Sequence, residues 1–93
     1  MIVGTVEIKL YAAWISSLKE KRMLAKSLTA QLRHKFNVSV AEVEAQDIHQ
    51  TLVLGIAWVT GSVRQSDSIL EQVLRFVESN TEAEILDSRH EIR

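Results

Sequence analysis

Lys19, Lys21, Arg22, Lys26 and Arg33 crowd one predicted helix and are the candidates for holding an anion. Arg22, Lys26 and Arg33 follow i, i+4, i+11 spacing. At about 100° per residue on an α-helix they share one narrow stripe, with Lys19 at its margin. Guanidinium and ammonium heads arranged this way suit a phosphate backbone, which they neutralise without reading sequence. Lys21 has the phase of the helix's leucines. Near the first turn it is expected to snorkel, its methylenes packed and its head in water. Residues 17–35 carry Lys19, Lys21, Arg22, Lys26, Arg33 and Lys35 against Glu20 alone. Residues 36–93 carry Arg64, Arg75, Arg89 and Arg93 against ten acidic residues, so the net charge of -1 hides a basic region on an acidic body. Cations at a helix start oppose the helix dipole, at about a few tenths of a kcal/mol each when exposed. Lys and Arg are also good helix formers, and a merely solvated face would carry them too.

Other chemistry is sparsely written. His34, His49 and His90 fall on a helix, a loop and a strand, with neither H-x-x-x-H spacing nor a cysteine beside them, so no metal site is expected. Gly4, Gly55 and Gly61 are isolated and form no phosphate-cradling loop. No serine stands in G-x-S-x-G. Glu42 with Glu44, and Glu82 with Glu84, are expected on one face of a strand, as acid–base work requires, though a charged strand edge explains them as simply. No cofactor is implied, and an enzyme is not expected.

The elements that must position the cations follow from periodicity. IVGTVEIKLY alternates, with Ile2, Gly4, Val6, Ile8 and Leu10 on one face and Val3, Thr5, Glu7, Lys9 and Tyr11 on the other, which predicts a half-buried strand. Ser17 three residues before Glu20 is a capping box opening a helix from about Leu18 to Phe36, with Asn37 as its stop. Leu18, Leu24, Ala25, Leu28, Leu32 and Phe36 give that helix its apolar side. VSVAEVE predicts a second strand and AQDIHQ a polar connection. TLVLGIAWVT is apolar on both faces and belongs in the middle of a sheet. Ser62 with Gln65 caps a second helix reaching about Ser79, and EAEILDSRHEIR closes as a charged edge strand.

The order βαββαβ is that of the split βαβ unit. It predicts an α+β, ferredoxin-like two-layer sandwich: a four-stranded antiparallel sheet, with the first and third strands central and two helices on one face. At 93 residues and 46% hydrophobic, residues 1–93 form a single ferredoxin-like domain in this reading. No apolar run is long enough for a bilayer, no secretory leader is visible in MIVGTVEIKLY, and cysteine is absent, so a cytoplasmic protein is expected.

RNA-recognition motifs share the topology but stack bases on sheet aromatics. Here Trp58 is expected to face the helices, so base stacking on the sheet is disfavoured. Val3, Val53, Ala57 and Val59 instead make a small apolar patch on the open face, ringed by Thr5, Glu7 and Lys9, and are the candidate homodimer surface. Trp14 either plugs an end of the core or meets a partner.

Taken together, IVGTVEIKL, SSLKEKRMLAKSL, RHKFNVSVAEVEAQDIHQ, LVLGIAWV and LRFVES resemble the YlxP-like family of small bacterial proteins, formerly a domain of unknown function. The resemblance runs along nearly the whole chain, and SLKEKR and FNVSVAEV are its most specific parts. It implies a ferredoxin-like fold with no assigned activity or catalytic residues. It also implies a role near RNA or the ribosome, because genes of the family often stand beside those for translation initiation and ribosome-maturation factors. The expectation is a non-catalytic accessory of translation whose RNA-binding candidates are Lys19, Lys21, Arg22, Lys26 and Arg33. The alternative is a homodimeric protein-interaction module without a nucleic-acid role.

Overall fold

A computed structural model describes residues 1–44 and 50–93. The elements run β1 (Ile2–Tyr11), α1 (Leu18–Lys35), β2 (Ser39–Glu44), β3 (Thr51–Thr60), α2 (Val63–Asn80) and β4 (Glu84–Ile92). The strands form one antiparallel sheet in the order β2-β3-β1-β4, the ferredoxin-like α+β arrangement that the sequence predicts. Most of the connection expected over AQDIHQ, and with it His49, lies outside the described residues.

Period-two alternation decides the faces. Val6, Ile8 and Leu10 pair with Ile56, Leu54 and Leu52, and all six are buried beneath the helices. Ala25, Leu28 and Leu32 of α1, with Val73 and Val77 of α2, close the core from above. β3 lies between β2 and β1, as its apolar residues on both faces require. Trp14 is half exposed, and its neighbours Ala12 and Ile15 are the buried residues of that loop.

Both helices begin at the expected serines. Ser17 Oγ accepts the Glu20 N–H and Ser62 Oγ accepts the Gln65 N–H, each at 3.2 Å. The return contacts differ from a strict capping box. Glu20 takes the Ser16 hydroxyl at 2.7 Å, and Gln65 Oε1 takes the Gly61 N–H at 3.3 Å. α1 ends at Lys35, close to the expected stop, with Phe36 as its extended C-cap, its N–H on the Leu32 carbonyl and its ring edge-on against Phe76 with centroids 5.6 Å apart.

One polar contact is sealed inside the core. The Trp58 indole N–H donates to Ser66 Oγ at 2.9 Å, and both residues are buried. They meet directly over Gly4, where an added Cβ would collide with the indole nitrogen and the hydroxyl together. Gly4→Ala is therefore expected to cost about 1–3 kcal/mol by overpacking. Ser66→Ala is expected to cost about 1–3 kcal/mol by stranding the indole donor. Urea unfolding of both variants checks this, and a wild-type midpoint for Gly4→Ala would contradict the packing described.

Candidate functional site

α1 is held on the sheet by polar ties as well as by its leucines. Lys21 is 1% exposed, and its Nζ lies 3.0 Å from Glu42 Oε2 on β2. The expected snorkelling does not occur. The core-side phase of Lys21 aims it at the sheet, and there Glu42 meets it from below. Glu42 is opposite Leu54, on the helix side, whereas an irregularity in the β2–β3 register sets Glu44 opposite Val53, on the open side. The two carboxylates expected to share a face are thus on opposite faces. Glu42 instead compensates an ammonium that would be costly to bury alone. Lys21 leaves the set of surface cations.

At the other end of α1 the Arg33 guanidinium donates from Nη2 to the Val40 carbonyl at 2.9 Å, so this residue both clasps β2 and keeps its charge at the surface. Between the two ties, Lys19, Arg22 and Lys26 are exposed and, among the described residues, make no ion pair. Three of the four arginines of the acidic part behave otherwise, while Arg64 is exposed and, among the described residues, makes no ion pair. Arg75 pairs with Glu71, Arg89 with Asp87 and Arg93 with Glu91. His34 and Lys35 add exposed basic groups in the last turn, where the helix dipole favours them.

The open face of the sheet is not uniformly apolar. Val59 is 64% exposed, while Val3 and Ala57 are half-buried, so these three form part of a surface. Val53 is only 7% exposed. It lies at the floor of a depression lined by Glu7, Lys9, Glu44, Asp87 and Arg89, whose longer side chains screen it. It therefore drops out of the exposed patch. Val43, which the sequence reading did not single out, takes its place beside Gly55. Among the described residues no three His, Asp or Glu come together in a metal-binding group, and no helix is long and apolar enough to cross a membrane.

With this geometry in place, comparison with known proteins is informative about kinship. Residues 3–90 match the model of a family described as Protein of unknown function (DUF503). The chain belongs to this family. Over 90 residues it is 37% identical to the Uncharacterized protein YlxP of Bacillus subtilis (strain 168), covering 97% of this chain and 98% of that relative. A crystal structure of a mutant of SnoaB, a cofactor-independent oxygenase from Streptomyces nogalater, superposes with a TM-score of 0.48 at 10% identity, over 99% of this chain and 90% of that one.

The sequence does not disclose the Lys21–Glu42 pair, because it joins residues distant in the chain, nor the Arg33–Val40 bond, which spans only seven residues but crosses from the end of a helix to a strand. The one available signal was the core phase of Lys21. Lys21→Met is expected to destabilise by about 1–3 kcal/mol, less than for a fully enclosed pair because Glu42 stays partly solvated. Lys21→Met with Glu42→Met should recover most of that loss. Equal urea midpoints for the single and double variants would show that the pair is not the cause.

Proposed function

We propose that this protein is a cytoplasmic, non-catalytic accessory of translation or ribosome assembly that holds RNA by its phosphates through α1. The observation that carries this reading is the contrast among cations. Lys21 is buried on Glu42 and three of the four arginines of the acidic part, Arg64 excepted, have neighbouring carboxylates, but Lys19, Arg22 and Lys26 stay exposed on one helix and without an ion pair among the described residues. Lys19 stands in the first turn, where a cation runs against the helix dipole. Arg33, tied to Val40, extends the stripe along the same helix. Trp58, the aromatic of β3, is buried under the helices and so is not available for base stacking on the open sheet. Contacts made only to phosphates predict salt-sensitive binding with little sequence preference.

A second reading, a homodimeric protein-interaction module with no nucleic-acid role, draws on the exposure of Val59 and Val43 on the open face. Binding of ribosomal RNA fragments separates the two. Wild-type affinity should fall steeply between about 50 and 200 mM salt, and Lys19→Glu, Arg22→Glu and Lys26→Glu combined should abolish binding without altering the fold. This set spares Arg33, whose bond to β2 is structural. Retained affinity in the triple variant would remove α1 as the site, and no wild-type binding at low salt would leave the protein-interaction reading.

A further inference from the structure

The sheet ends on β4, whose outer edge pairs with no strand among the described residues. The other edge is managed differently. β2 is shorter and Arg33 occupies the Val40 carbonyl, while both edge strands carry one register shift, which in β4 falls before Asp87. β4 has nine residues and a regular register with β1 from Asp87 to Ile92.

Hydrogen-bond parity identifies which groups of β4 face outward. Val3 and Arg93 exchange both backbone bonds, at 2.9 and 2.7 Å. Antiparallel pairs alternate between bonded and non-bonded, so Glu91, Arg89 and Asp87 likewise turn their backbone groups to β1. The backbone groups of Ser88, His90 and Ile92 point away from the sheet. The Ser88 N–H does point outward, where the carboxylate of its own neighbour Asp87 takes it at 2.9 Å, a contact that pairing of this edge must exchange for a backbone carbonyl.

The side chains on the open face of this strand alternate in sign: Asp87, Arg89, Glu91, Arg93. We propose that β4 pairs antiparallel with β4 of a second copy, with His90 at the two-fold axis, joining two sheets into one. In this register Ser88 and Ile92 exchange backbone bonds with Ile92 and Ser88 of the partner subunit, and His90 does so with His90 of the partner subunit. Every charge then meets its opposite. Arg89 faces Glu91 of the partner subunit, and Asp87 faces Arg93 of the partner subunit. The contact is isologous, so each pair occurs twice.

The sign pattern also rejects other registers. A slip of one residue puts the outward backbone groups out of phase. A slip of two opposes Arg89 to itself, or Glu91 to itself, and like charges directly opposite destabilise a sheet. Charges on an edge usually protect it from pairing. Here they deny the two nearest in-phase registers, and the one centred on His90 opposes the most unlike charges. The ion pairs along the strand, Arg89–Asp87 and Arg93–Glu91, join those across it in a continuous ladder. α1 packs over β2 and β3, so it lies at the outer ends of such a dimer, and its cations stay accessible.

The absence of cysteine makes the test direct. A bonded antiparallel pair has Cα atoms about 5.5 Å apart, within disulfide range. His90→Cys should form a covalent dimer under mild oxidation, and Arg89→Cys should not. Wild-type protein should sediment at twice its 10.5 kDa chain mass. Glu91→Arg, which opposes arginines across both halves of the axis, should weaken that dimer about ten-fold or more. A wild type that stays monomeric at every concentration would overturn the proposal. So would a dimer that His90→Cys fails to lock, as expected of association through the open sheet face, or preferential cross-linking at Arg89→Cys.

Discussion

The ammonium of Lys21 and the carboxylate of Glu42 lie 3.0 Å apart between α1 and β2, and this buried ion pair constrains where the other charges of the helix can go. A lysine sealed at 1% exposure cannot rotate toward water without leaving a carboxylate behind and opening the core beside Ala25 and Leu28. With the Arg33–Val40 bond at the far end of α1, the pair fixes the rotation of the helix about its axis as well as its position. Lys19, Arg22 and Lys26 are outward because Lys21 is inward.

The same sheet accommodates charge in three distinct ways. Glu42 is turned to the helix side to compensate a cation, while Glu44 faces the open side. Glu7, Lys9, Glu44, Asp87 and Arg89 gather around Val53 on the open face, where opposite signs across neighbouring strands cover an apolar floor. β4 carries its charges at the sheet edge, in a sign order that bears on which strands could join it. A single apolar-versus-polar reading of the strands would merge these roles.

Much of the fold is legible in the sequence because local signals agree with one another. The alternation of IVGTVEIKLY, the serines at Ser17 and Ser62, and the two-sided apolar run TLVLGIAWVT each specify an element, and all fit one topology. The site is less legible, because burial of a charge depends on a partner far along the chain. The phase of Lys21 pointed inward, but only the β2–β3 register shows that Glu42 waits beneath it. Val53 likewise alternates onto the open face as expected, and only the length of its charged neighbours on three strands removes it from the surface. Gly4 shows no local motif, yet Trp58 and Ser66 close over it.

Under the proposed function, adjacent cations of α1 have separate duties, Lys21 to the fold and Arg22 to an anionic partner. The most direct measurement is the salt dependence of RNA affinity for Lys21→Met and Arg22→Met beside wild type, with urea unfolding of the same proteins. Arg22→Met should lower the slope of log affinity against log salt by about 0.7–0.9 and leave the unfolding midpoint unchanged. Lys21→Met should lower the midpoint and leave the slope unchanged. Equal losses of slope in the two variants would contradict the division.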